Sequence, residues 1–205
     1  MSFVSAFITS DFASITSDGK VTGANKETVQ EDYKKIIKVN SFLIGFTGNS
    51  TAPVELIKAA IKETSNVMGQ EKLNHALILN IIIKCLDKYT NNAAIKTNII
   101  LVGFDNGTPV INTINLNQLE VTEESFEFQE RFRLITLCPF DYRLENGSEV
   151  AKFIEMVRLL DRSEINLTKI IEIQREINNF VADNSDTVNK CTFTEYLKND
   201  GYLHA

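Results

Sequence analysis

The chain has no tryptophan, only two histidines, three prolines and three cysteines, and no excess of positive charge. Each shortage removes a class of function. His75 and His204 are too few and too isolated for a metal triad or a serine–histidine–aspartate arrangement. Cys85, Cys138 and Cys191 are odd in number, widely spaced and without a Cys-x-x-Cys pair. They define neither a disulfide framework nor a zinc site, and they suit a reducing compartment. A net charge of −6 argues against a phosphate-binding face, and so against nucleic acid. The longest apolar stretches, such as 76–83, are interrupted by Asn80 and are far too short to span a bilayer. The start of the chain lacks the basic segment and apolar run of a signal peptide. Gly45 to Gly48 lacks the full glycine-rich pattern and the Lys-Ser/Thr ending of a phosphate loop. The expectation is a cytoplasmic protein without a cofactor, a metal or a membrane contact.

What is present is an ordinary globular composition, 43% apolar and 23% charged over 205 residues. That length suits one domain, 1–205, burying about 70% of the surface its unfolded chain exposes. Residues 4–9 and 11–17 read as paired strands, with Asp18-Gly19 ending the second. Residues 36–46 form one apolar, β-branched run that closes at Gly48. Pro53, Leu56, Ile57, Ala60 and Ile61 then recur at helical spacing, with Ser50 or Thr51 as cap. A second helix is expected over 72–89. Strands at 97–104 and 109–116 flank Asp105-Asn106-Gly107, a good hairpin signal. Strand-like material follows at 126–137. Helices are expected over 149–160, capped by Ser148, and 167–181, capped by Asn166. A short closing strand is expected at 187–193. Strands, two helices, strands, two helices and a strand suggest sheets held between helix pairs.

Three segments carry chemistry. The chain opens SFVSAFITSDFASITSDGKVTG, continues KKIIKVNSFLIGFTG, and then reads IILVGFDNGTPVINTI. In order and spacing they resemble proteasome β subunits and the proteasome-related subunits of bacterial ATP-dependent proteases. The similarity covers roughly the first half of the chain. It implies an α+β fold of the N-terminal-nucleophile hydrolase type, a four-layer αββα sandwich. It also implies a homo-oligomeric ring, an ATP-dependent unfoldase as partner, and peptide or unfolded protein as substrate. Ser2 matches the reactive N-terminal residue once Met1 is lost. Asp18, Gly19 and Thr22 match the family's aspartate, small residue and threonine. Lys35 matches the catalytic lysine and Lys34 its basic neighbour. Gly48 matches the glycine whose backbone N–H serves the oxyanion. The family's second supporting aspartate matches Asp183 or Asp186, with Ser185 between them.

These residue types make sense together. A terminal Ser2 carries its own base, because an α-amine titrates at about 7.7–8.0 and accepts the hydroxyl proton directly or through water. A cation at Lys35 stabilises the alkoxide, and Asp18 offsets the buried charge. Three departures from the family set an alternative beside the peptidase reading. Serine replaces the usual threonine, so the rotamer-restricting methyl is absent. Phe3 replaces a small or hydroxyl residue and is expected to alter the mouth of the site. The Gly-Ser-Gly-like turn before the third helix is missing from residues 137–142. The alternative is a catalytically inactive assembly or binding subunit of the same fold; a third reading is an amidase of small amides.

Overall fold

The computed structural model describes residues 2–23, 27–116, 120–124, 131–145, 147–161 and 164–199. The first strand, β1 (Val4–Ile8), is buried along its whole length. Val4, Ala6 and Ile8 face one apolar cluster, while Phe3 and Phe7 face another. Side chains alternate across a strand, so such a run needs a layer on each side. β1 pairs with β2 (Phe12–Asp18) and β10 (Arg133–Leu137), and β2 pairs with β11 (Thr192–Lys198). The resulting antiparallel sheet has the order β10-β1-β2-β11.

A second antiparallel sheet holds β5 (Ile36–Val39), β6 (Phe42–Gly48), β7 (Thr97–Asp105), β8 (Thr108–Asn115) and β9 (Glu120–Glu124), in that order. The sheets meet through Val4, Ala6 and Ile15 on one side and Leu43, Ile100 and Val102 on the other. Helices α1 (Ala52–Met68) and α2 (His75–Asp87) cover the second sheet, with Ile57, Ile61, Ile78 and Ile82 packed on Ile44, Ile99 and Leu101. Helices α3 (Ser148–Arg158) and α4 (Leu167–Ala182) cover the first, with Phe153, Ile173 and Ile177 packed on Phe3 and Phe7. Four layers result, in the order α, β, β, α. Buried Gln174 ties α4 to the first sheet. It accepts from the Ser14 hydroxyl at 2.9 Å and donates to the Ser5 carbonyl at 3.0 Å.

Several elements differ from the sequence expectation. The run 36–46 is a hairpin rather than one strand: Asn40 takes φ 47° and reverses the chain between Val39 and Phe42. The second helix begins at His75, not 72. Residues Gln70–Lys72 form a 3-10 turn, and Asn74 caps α2 by accepting from the Leu77 amide. Ser148 is the first residue of α3 rather than its cap, which is Gly147 in a left-handed conformation. The closing strand lies at Thr192–Lys198 instead of 187–193. A short ribbon, β3 (Val21–Thr22) with β4 (Thr28–Gln30), and strand β9 are additional to the sequence expectation. Residues 126–130 of the expected strand at 126–137 lie outside the described residues.

Candidate active site

The end of β2 delivers Asp18 into the interior, where it is fully buried. Its Oδ1 accepts from the Phe3 amide at 2.8 Å, and its Oδ2 from the Lys20 amide at 2.8 Å and Lys35 Nζ at 2.9 Å. Lys35 is only 3% exposed and also donates to the Lys20 carbonyl at 2.6 Å. Burial pushes the Asp18 carboxyl up and the Lys35 ammonium down, and their mutual attraction opposes both shifts. Neither group would be stable there alone.

Gly19 explains why Lys35 points inward. A Cβ at Gly19 would lie 2.5 Å from the Glu31 carbonyl oxygen, so only glycine lets this segment approach so closely. The Tyr33 amide donates to the Gly19 carbonyl at 2.9 Å, and Asn189 Nδ2 donates to the Glu31 carbonyl at 3.0 Å. The segment before β5 is thereby strapped against the end of β2. Lys34 turns the other way and pairs with Glu195 on the surface.

Gly48 ends β6. The Phe46 amide donates to the Lys35 carbonyl at 3.3 Å, on the β5 side. N–H groups two residues apart on a strand point the same way, so the Gly48 N–H points past the end of β5. The Thr97 carbonyl opposite accepts instead from Leu116, on the β8 side, at 2.9 Å. Ser2, Lys35 and Gly48 line one cleft of about 50 Å³, together with Lys20, Tyr33 and Phe46. Asp18 sits behind Lys35. Met1 lies outside the described residues.

Four of the expected residues therefore converge, and three do not line this cleft. Asp183 is exposed and pairs with Lys190 at 2.7 Å. Asp186 pairs with Arg143 on the surface, though its carbonyl accepts from Lys20 Nζ at 2.7 Å. Ser185 is buried and donates to Asp141 Oδ1 at 2.8 Å. The expectation for Phe3 is corrected: it is fully buried among Phe7, Phe153 and Ile177, away from the mouth, because its side chain takes the helix-facing side of the strand. Sequence reasoning missed Lys20, whose backbone groups hold both charges, and the aromatic wall of Tyr33 and Phe46. A backbone role leaves no residue-type signal.

Asp141, in the segment 137–142 that lacks the family's turn, also accepts from Thr187 Oγ1 at 2.7 Å and the Asp186 amide at 3.1 Å. Burial works against the charge, but these donors hold its carboxyl below the usual carboxylate range. A depressed folded pKa contributes stability that is full above the unfolded value and is lost as pH falls through the folded one. Asp141→Ala should cost about 1–3 kcal/mol by stranding buried hydroxyls. Asp141→Asn should weaken the acid-side loss of stability in urea titrations at descending pH.

Among the described residues no group of His, Cys, Asp or Glu is placed to hold a metal ion, and no helix is long and apolar enough to cross a membrane. No protein-family model matches the chain, and no curated protein matches it. Solved structures do. HslV from Trypanosoma brucei superposes with a TM-score of 0.59 at 14% identity, covering 96% of this chain and 99% of that one. Anbu (ancestral beta-subunit) from Yersinia bercovieri superposes with a TM-score of 0.71 at 12% identity, covering 98% of this chain and 83% of that one. The chain has the four-layer αββα sandwich of the N-terminal-nucleophile hydrolases that both structures show, a link at the level of fold.

Proposed function

We propose that the chain is an N-terminal-nucleophile peptidase whose working group is the Ser2 hydroxyl, with the α-amine freed by loss of Met1 as its base. The observation that carries this reading is the buried Lys35–Asp18 pair, with Lys35 sharing one cleft with Ser2 and Gly48. In the reaction, the neutral Ser2 amine takes the hydroxyl proton and Oγ attacks the peptide carbonyl carbon. The Gly48 N–H receives the oxyanion, a type of donor worth roughly 3 kcal/mol in the transition state. The amine then returns its proton to the leaving nitrogen as the C–N bond breaks, leaving an ester on Oγ. Water, deprotonated by the same amine, hydrolyses the ester and restores Ser2. Two of the three Lys35 N–H donors are spent on Asp18 and Lys20. The third serves the forming alkoxide, and the ammonium charge lowers the proton affinity of the amine.

A lysine only 3% exposed that lines the same cleft as Ser2 favours the enzymatic reading over an inactive binding subunit. The assembly proposed with it is a self-compartmentalised homo-oligomeric ring, in the cytoplasm, supplied with unfolded protein by an ATP-driven unfoldase. Intact mass spectrometry combined with hydrolysis of unstructured peptides tests the reading. Active material should begin at Ser2; full activity from chains that all retain Met1 would refute the mechanism.

A further inference from the structure

One wall of the cleft that Ser2 lines is held by several contacts. Tyr33 and Phe46 both line it and meet edge to face, with ring centroids 6.4 Å apart at 70°. The Tyr33 hydroxyl donates to Glu55 Oε1 at 2.6 Å and accepts from Lys58 Nζ at 3.2 Å, while Lys58 and Glu55 pair at 2.8 Å. Lys58 Nζ also stands over both rings, 5.0 Å from the Tyr33 centroid and 5.8 Å from that of Phe46. Glu55 and Lys58 belong to the first turns of α1. From the other side, the Tyr33 amide is bonded to Gly19. A side chain held at its backbone, its ring face and its hydroxyl does not swing aside cheaply.

The space left is small. The cleft is open to solvent on one side, and the space within it is about 50 Å³, against the ~150 Å³ of a closed cavity that admits benzene. A substrate whose carbonyl carbon meets Ser2 Oγ and whose oxygen meets the Gly48 N–H must place an adjoining side chain against this wall. We infer that the cleft selects polypeptides with a small side chain, alanine to valine in size, on the acyl side of the bond cut, and that the Glu55–Tyr33–Lys58 clamp enforces this limit.

The inference rests on the proposed peptidase reading, and one experiment separates their failures. N-blocked tripeptide boronic acids carrying Ala, Val, Leu, Phe or Arg at the acyl position would compete with a sulfonyl fluoride for Ser2 in the full-length protein, read by mass spectrometry. The Ala and Val probes should protect at least roughly 10-fold better than Phe or Arg, the scale on which an apolar pocket discriminates by size. Tyr33→Ala should shrink or reverse that ratio. Lys58→Met, which loosens the clamp from outside the cleft, should relax it in part and serves if Tyr33→Ala does not fold. Equal protection by Phe and Ala in the unmodified protein overturns the size limit alone, and a ranking untouched by Lys58→Met overturns the clamp as its cause. No engagement of Ser2 by any probe overturns both the size limit and the peptidase reading.

Discussion

Ser2→Ala should abolish peptide hydrolysis, with kcat falling on the order of 10,000-fold or more, while the melting temperature stays within a few degrees of wild type. The rate loss is large because the variant keeps the amine, the Lys35 ammonium and the Gly48 donor but has no atom to attack the carbonyl. The stability change is small because the Ser2 side chain lines the cleft, with no protein hydrogen bond to its hydroxyl among those described. Single-turnover assays and thermal melts on the same preparations check both halves. A residual rate within tenfold of wild type would place the nucleophile elsewhere.

Asp18→Asn should cost about 3–5 kcal/mol of folding stability, because it leaves the Lys35 charge buried without a counter-charge. The loss depends on pH, and its sign follows from burial. Without Asp18 the folded-state pKa of Lys35 falls further below its unfolded value. Between those values the unfolded chain binds more protons, so the stability of Asp18→Asn rises with pH across that window. Urea melts at about pH 6 and about pH 9 should therefore show a narrower gap to wild type at the higher pH. Adding Lys35→Met should recover most of the lost stability, since an apolar side chain of similar length needs no partner. It should recover no activity. A double variant that regained activity would mean that the pair only supports the fold.

The same burial explains what the sequence made legible. β1 and β2 stand out because burial on both faces leaves nearly continuous runs of apolar and small residues, as in Val4–Ile8. That feature also hid the hairpin at 36–48. β5, with Ile36 and Val39 buried, and the almost wholly buried β6 read as one long apolar run, and the turn at Asn40-Ser41 has no glycine to announce it. The sequence sets the closing strand too early because Thr192–Lys198 is half-buried, and its glutamate and lysine blur the alternation. The Ser2, Asp18, Lys35 and Gly48 spacing was readable only through the family resemblance. Locally, Lys35 belongs to a charged run, and what buries it is the strap through Gly19, Glu31 and Asn189, three residues of which two are distant in sequence. Asp183, Asp186 and Ser185 could not be put in register from sequence. Asp183 closes α4, and the positions of Ser185 and Asp186 depend on Asp141, which pins that loop from 44 to 46 residues away.

Everything turns on whether the chain's own first nitrogen and oxygen work together next to the Lys35 charge. Treating the folded protein with a sulfonyl fluoride and sequencing its peptides by tandem mass spectrometry asks this directly. The adduct should sit on Oγ of a peptide that begins at Ser2, and should vanish in the folded Asp18→Asn, Lys35→Met double variant. An adduct on another hydroxyl, or on a Ser2 still preceded by Met1, would contradict the assignment.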